Sequence, residues 1–168
     1  MTDRGYIHTF SKKEQDRLLK QAQFLEPYIY PGIEFSGCRR ILEIGCGVGA
    51  QIALLAKRFP DLRIDGIDPV GFQIGRANGV LADLIAGERV SLAVASGYGL
   101  PFPDDCYDGA CIFCVLEHLS RPLAILSEAR RVLQTGAALY CTEVFNSGLY
   151  IDPTCPAIDE YWAAFNRY

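Results

Sequence analysis

The sequence lacks the features that mark nucleic-acid-binding, membrane-spanning or exported proteins. Its 168 residues carry a net charge of −4, so it has no excess of basic residues for binding nucleic acid or anionic membranes. No apolar run reaches the roughly 18 residues that a membrane-spanning helix needs. The N-terminal stretch, MTDRGYIHTFSKKEQ, has no apolar signal-peptide core. These absences predict a cytoplasmic protein with neither nucleic acid nor membrane as a partner.

Cysteine is plentiful, but its pattern does not indicate a disulfide framework or a metal site. An odd number, seven, in a chain without export signals is typical of reduced thiols. Cys111 and Cys114 have CxxC spacing within YDGACIFCVL, which reads as a strand. Residues three apart on a strand face opposite ways, so we expect no metal or redox pair there.

The rest of the chain is organised around the stretch ILEIGCGVGA, from Ile41 to Ala50. A short run that is apolar on both faces suits a buried parallel strand. Gly45, Gly47 and Gly49 then let the backbone turn sharply and approach a ligand closely. The helix predicted over residues 51–59 points its free N–H groups at the same place. This pattern predicts a site for a nucleotide-type cofactor.

Two acidic residues narrow the type of cofactor. Glu43 lies inside the predicted strand, two residues before the first glycine, where a dinucleotide-binding strand normally has an apolar residue. Asp68 ends the next apolar run, LRIDGID, where a carboxylate can accept hydrogen bonds from ribose hydroxyls. The alternatives are structural: Glu43 caps neighbouring backbone N–H groups, or Asp68 forms a turn before Pro69.

The E-x-G-x-G strand and loop followed by this acid resembles a class I S-adenosylmethionine-dependent methyltransferase of the small-molecule type. The resemblance implies a Rossmann-like, doubly wound α/β fold with five parallel strands in the order 3-2-1-4-5 and helices on both faces. It implies S-adenosylmethionine as cofactor and S-adenosylhomocysteine as product. The cofactor contacts implied around the first two strands are Glu43, Gly45, Cys46, Gly47, Gly49, Asp68 and Pro69.

Further along the chain, Leu100, Pro101 and Phe102 match the family pattern. The family usually has an acid four residues before that leucine, which hydrogen-bonds the adenine amino group. Ser96 stands there in this sequence, followed by Gly97 and Tyr98. The departure predicts a weaker, uncharged adenine contact, with Tyr98 as a candidate to cover the adenine face.

The end of the fourth predicted strand is where the resemblance places the methionine moiety and the methyl acceptor. Cys114 is predicted to border the methionine moiety through its backbone, and His118, beside Glu117, is the candidate general base. Tyr6, ahead of the first predicted helix, is the candidate to close over the methionine end. Structural roles for His118 and Tyr6 are the alternatives.

We predict a single domain over residues 1–168, with an N-terminal helical segment (1–37), a cofactor-binding core (38–145) and the start of a substrate lid (146–168). The family's closing antiparallel hairpin is missing after the fifth predicted strand. An unpaired edge strand promotes association, so we expect either that the chain is a fragment or that a partner, including a second copy, covers this edge.

The predicted function is methyl transfer from S-adenosylmethionine to a small-molecule acceptor. Two other functions stay open from the sequence. One is a truncated, non-catalytic binding or regulatory partner on the same scaffold, favoured by Ser96 and the missing hairpin. The other is an NAD(P)-dependent oxidoreductase, a function that only the glycine loop and Asp68 support.

Overall fold

The computed structural model describes residues 11–143 and 155–165. The strands are β1 (Arg40–Ile44), β2 (Arg63–Asp68), β3 (Val90–Val94), β4 (Tyr107–Phe113) and β5 (Leu133–Thr142). The helices are α1 (Lys12–Ile29), α2 (Ala50–Arg58), α3 (Gly71–Val80), α4 (Ala82–Ala86), α5 (Pro122–Val132) and α6 (Pro156–Phe165). Two short 3₁₀ helices cover Tyr30–Gly32 and Leu116–His118.

The five strands form one parallel sheet in the order β3-β2-β1-β4-β5. This confirms the predicted Rossmann-like, doubly wound fold. The chain moves outward from β1 to β3 and then returns to place β4 on the other side of β1. Parallel α/β sheets bind ligands at the carboxyl ends of the strands where the order reverses in this way. That point lies between β1 and β4.

Each face of the sheet has its own apolar core, which is why β1 is apolar at successive positions. On one face, Ile41 packs in a cluster with Ile52 of α2. On the other face, Leu42 packs in a cluster with Ile125 of α5. The adjacent residues Ile41 and Leu42 are both fully buried, so the run ahead of the glycines is held from both sides.

Helix α1 packs onto the glycine loop. Ser11 followed by Glu14 is typical of a helix start, and the Ser11 hydroxyl accepts a hydrogen bond from the Glu14 backbone N–H at 3.3 Å. Ala22, in the middle of the helix, is buried in a cluster with Val48 and Ala50. These contacts pack the helix against the core beside the glycine loop.

Several element boundaries differ from the sequence prediction. The pattern of residues 70–86 predicts one helix, but the segment forms α3 and α4, which divide at Leu81, a core residue that is 1% exposed. The division therefore follows a buried side chain and not one of the glycines in the segment. The apolar run of residues 107–115 predicts a strand that reaches Val115, but β4 ends at Phe113 because Cys114 has a φ of +53°.

The C-terminal part of the chain is described only in part. Helix α6 lies in the segment 146–168 that is predicted as the start of a substrate lid, and its Tyr161 is 61% exposed. Tyr6, the candidate that closes over the methionine end, lies outside the described residues. In the described ranges, β5 pairs with β4 and with no other strand. In the same ranges, no helix is long and apolar enough to span a membrane.

Candidate functional site

The three glycines after β1 have left-handed φ values of +80°, +51° and +75°, for Gly45, Gly47 and Gly49 in turn. A Cβ at Gly45 would collide with Val115, and one at Gly49 would collide with Leu81. A Cβ at Gly47 would meet no atom within 4 Å. Gly45 and Gly49 are thus required by packing as well as by conformation, whereas Gly47 leaves its backbone open to an approaching ligand.

Asp68 joins the glycine loop to the end of β2. Its side chain is mostly buried, with 9% of the residue exposed. One carboxylate oxygen accepts a hydrogen bond from Gly47 N at 3.0 Å, and the other accepts one from Val70 N at 2.8 Å. Burial raises the pKa of Asp68 and the two hydrogen bonds lower it, with a net pKa above the ordinary value. The carboxylate is therefore held rigidly beside the open backbone of the loop.

Glu43 lies in β1 and is 2% exposed. Its Oε2 atom is buried and has no hydrogen-bond partner. Burial, and after it the charge of Asp68, raises the pKa of Glu43 to about 8. An unpartnered buried polar atom is costly and uncommon in a folded protein. The observation fits a site that is completed by a ligand, and it contradicts the alternative in which Glu43 caps backbone N–H groups through this oxygen.

Cys46 and Pro69 flank these groups without offering chemistry. Cys46 is 4% exposed and belongs to the core under the loop. The pKa of its thiol is raised mainly by burial and also by the nearby carboxylates, so the side chain remains neutral. Pro69 is exposed immediately after Asp68.

The turn after β3 carries the predicted adenine contacts. The Ser96 hydroxyl already accepts a hydrogen bond from Tyr98 N at 3.2 Å. A Cβ at Gly97 would lie 2.9 Å from Ile125 Cδ1 and 3.0 Å from Ile44 Cγ2, so this glycine is required for close packing. The guanidinium of Arg121 lies over the Tyr98 ring, 4.9 Å from its centroid, at a distance typical of a cation–π contact.

The chain after β4 turns sharply into the 3₁₀ helix that contains His118. Cys114 has a φ of +53° and donates its N–H to Thr142 O at 2.8 Å. Burial is the main cause that raises the pKa of its thiol to about 11. His118 Nε2 lies 3.6 Å from Glu117 Oε1, with both side chains about one-quarter exposed. The predicted acceptor side thus has an imidazole and a carboxylate together on a strained turn.

Glu143, just beyond β5, was not predicted as a site residue. Its carboxylate accepts hydrogen bonds from the successive N–H groups of Val115, Leu116 and Glu117, at 3.2, 3.0 and 3.3 Å. Glu143 therefore fixes the turn that presents His118. The sequence gives no signal for this role, because an acid at a strand end is common and its partners lie about 27 residues earlier.

Taken together, the glycine loop, Asp68 and Glu43 meet at the carboxyl ends of β1 and β2, and Cys114 follows the neighbouring strand β4. No group of three or more His, Cys, Asp or Glu side chains in residues 11–143 and 155–165 is placed to hold a metal ion. Fold and site together define a class of protein, the α/β proteins that bind nucleotide-type cofactors.

Comparison with known families shows to which family within this class the chain belongs. Residues 42–141 match the family model described as a methyltransferase domain. Since this match covers more than half of the chain, the chain belongs to the methyltransferase family, and its fold and motifs are those of the class I S-adenosylmethionine-dependent group. The family match favours this interpretation over an NAD(P)-dependent oxidoreductase.

Three similar proteins illustrate the relationship. An uncharacterized methyltransferase of Schizosaccharomyces pombe is 33% identical over 109 residues, which are 62% of this chain and 39% of that protein. The O-methyltransferase rstn1 of Aspergillus nomiae is 30% identical over 118 residues, 70% of this chain and 50% of that protein. The structure of a methyltransferase from Aquifex aeolicus has a TM-score of 0.61 at 19% identity, over 90% of this chain and 76% of that one. The chain thus spans at most half the length of these two curated relatives.

Proposed function

We propose that this chain binds S-adenosylmethionine at the carboxyl ends of β1, β2 and β4 and transfers its methyl group to a small-molecule acceptor. The observation that carries the proposal is the geometry of Asp68. Its carboxylate is fixed by Gly47 N and Val70 N, beside the one loop glycine whose Cβ position is open. A carboxylate held this way at the end of the second strand suits the two hydroxyls of a ribose.

The other residues have separate roles in this proposal. Glu43 and the backbone of the glycine loop face the methionine end, and Cys114 borders it through its backbone. Tyr98, with Ser96 and Gly97, borders the adenine. Because Ser96 offers the adenine amino group a neutral hydroxyl, which also accepts from Tyr98 N, and no carboxylate, adenine is held mainly by packing and not by a charged hydrogen bond.

Bound S-adenosylmethionine supplies a methyl group on a positively charged sulfur, which is already activated for displacement. The protein therefore contributes mainly proximity and alignment, which can supply many kcal/mol of the barrier. A base is needed only for an acceptor that must lose a proton, such as a phenol. His118 is the candidate for this proton, because Glu117 is placed to stabilise the imidazolium that results.

A second function is favoured by one observation. Ser96 replaces the family's adenine-binding acid and uses its hydroxyl within its own turn, which favours a methyltransferase-like protein that binds partners without catalysis. Binding of cofactor without turnover on a panel of phenols, amines and carboxylic acids would support this second function.

The test of cofactor binding is calorimetric titration of the chain with S-adenosylhomocysteine. We expect saturable binding that Asp68→Ala weakens at least tenfold, about 1.4 kcal/mol, since the variant loses the ribose contact and the bond to the glycine loop. The exposed carboxylate of Asp83 provides the matched control, and Asp83→Ala should leave the affinity unchanged. Absence of binding by the folded wild-type chain would contradict the proposal.

A further inference from the structure

Tyr30 is a buried polar residue to which the cofactor-binding role above assigns nothing. It opens the 3₁₀ helix that follows α1, and it is 2% exposed. Its ring packs against Phe113 at the end of β4, with 5.9 Å between the ring centroids. Its hydroxyl is buried and has no hydrogen-bond partner. Leaving a buried hydroxyl unpaired lowers stability, so its position needs an explanation.

Glu43 is the other unpartnered group in this part of the protein. Glu43 pairs in register with Cys111 of β4, and Phe113, which contacts Tyr30, lies two residues further on the same face of that strand. Burial is the largest cause of the raised pKa of Tyr30, and the charge of Glu43 is the second largest. The register and the ring contact therefore place Glu43 and Tyr30 on the same side of β1 and β4, and we refer to these two residues with Cys111 as the polar cluster.

The titratable groups whose charges act on this cluster are neutral or acidic. Cys111 of β4 and Cys46 of the glycine loop are buried thiols whose pKa values are raised. After burial, the charge of Asp68 of β2 raises the pKa of Glu43, and the charge of Glu26 of α1 contributes to raising the pKa of Tyr30. None of these groups is a cation, so none of them favours ionisation of Glu43.

We propose that Tyr30 is a positioning residue for Glu43, whose carboxyl group loses its proton when the cationic methionine end of the cofactor binds and is then held by the Tyr30 hydroxyl. The inference rests on the proposed function and deepens it. In the free protein at about pH 7, burial and the charge of Asp68 raise the pKa of Glu43 enough to keep it largely protonated. In the complex the cofactor supplies the missing positive charge, the Glu43 proton passes to the buffer, and the hydroxyl of Tyr30 donates to the carboxylate.

The proposal fixes the sign of the pH dependence. The pKa of Glu43 in the free protein is about 8, and a nearby cation lowers it in the complex. Binding of S-adenosylmethionine therefore releases up to about one proton at pH 7, and the affinity rises by up to about tenfold per pH unit until the pH passes the free-state pKa. S-adenosylhomocysteine lacks the sulfonium charge, so it should release fewer protons.

The experiment counts these protons by calorimetry in two buffers with different ionisation enthalpies. At about pH 7, where linkage predicts that most of the free Glu43 is protonated, the wild-type chain is titrated with S-adenosylmethionine and with S-adenosylhomocysteine. Glu43→Gln should abolish most of the release, because a neutral amide has no proton to lose. Tyr30→Phe should reduce it, because the carboxylate loses its donor. Ionisation of the cofactor itself cancels in these differences.

Matched controls are the exposed residues Glu160 and Tyr28, as Glu160→Gln and Tyr28→Phe, which should behave as the wild type. A measurement that needs no variant is the ¹³C shift of the Glu43 carboxyl group during a pH titration. It should give a pKa near 8 in the free chain and a value at least one unit lower with S-adenosylmethionine.

Each failure has a distinct signature. Cofactor binding with equal proton release in wild type and Glu43→Gln would overturn the inference while leaving the proposed function intact. Release in Tyr30→Phe equal to the wild-type value would overturn the role of Tyr30. Absence of binding by a folded wild-type chain would remove the proposed function and this inference with it.

Discussion

Gly47 and Gly97 illustrate two different reasons for which this chain needs glycine. Gly47 has a φ of +51° and open space where a side-chain methyl group would stand, whereas Gly97 is enclosed by Ile44 and Ile125. We expect Gly47→Ala to cost about 1–2 kcal/mol for the left-handed conformation and to weaken S-adenosylhomocysteine binding at least tenfold. Gly97→Ala should instead lower the free energy of unfolding by about 1–3 kcal/mol, with a smaller effect on affinity.

Urea unfolding and calorimetric titration of both variants measure these two effects separately. Gly75→Ala is the control for the added methyl group itself. It places that group in helix α3, where nothing lies within 4 Å and alanine favours helix. If Gly47→Ala bound the cofactor as the wild type does, the open face of the loop would not be the side on which the ligand lies.

At the scale of residues, the sequence predicts what depends on local pattern. The glycines and the acids Glu43 and Asp68 stand at fixed distances from apolar runs, so the site could be placed on the chain before the fold was known. Tyr30 and the use of the Ser96 hydroxyl could not be predicted in this way. Their roles depend on which groups the fold brings together: Tyr30 stands in no motif, and the motif position of Ser96 does not show that its hydroxyl accepts from Tyr98 N.

The turn after β4 depends on Glu143 at the end of the neighbouring strand. One carboxylate accepts three backbone N–H groups of residues 115–117, and a hydrogen bond to a charged group contributes about 1.5–3 kcal/mol. We expect Glu143→Gln to speed hydrogen exchange of these amides by about tenfold to a hundredfold, because the amide side chain has no charge and one acceptor fewer.

Glu160→Gln makes the same chemical change in the exposed part of α6 and should leave those amides protected. Native-state hydrogen exchange followed by NMR resolves the amides of Val115, Leu116 and Glu117 one by one. Equal protection in the wild type and Glu143→Gln would mean that the strained Cys114 and the bond to Thr142 hold the turn without Glu143.

At the scale of elements, the apolar periodicity predicts where strands and helices lie along the chain, and the resemblance to the methyltransferase family implies the strand order, but neither predicts the boundaries. The five strands agree with the prediction because each apolar run is separated from the next by a helical pattern or a loop rich in turn residues, and their order agrees with the order that the resemblance implies. The division of the predicted helix at Leu81 and the early end of β4 depend on tertiary packing. Local propensity carries no information about either.

At the scale of the whole molecule, the sheet in the described residues ends in two edge strands, β3 and the longer β5. In the ranges that the structure describes, β5 exchanges hydrogen bonds with β4 only. The residues of β5 beyond its buried first position are largely exposed or half-buried, and Gly136, with a φ of +84°, accompanies the register shift between β4 and β5. An exposed strand edge is a template for pairing with another chain.

We therefore expect this chain to self-associate through β5 as its concentration rises. Ala138, exposed in the part of β5 that pairs with β4 after the register shift, is the position for a test, because a lysine on an edge opposes edge-to-edge pairing. Ala138→Lys should weaken self-association about tenfold, or 1.4 kcal/mol, as measured by sedimentation equilibrium or light scattering.

Ala82→Lys, an equal change of charge at an exposed position of α4, should leave self-association unchanged. A wild-type chain that remains monomeric at high concentration would contradict this prediction, and equal weakening by both lysines would assign the association to net charge and not to the β5 edge.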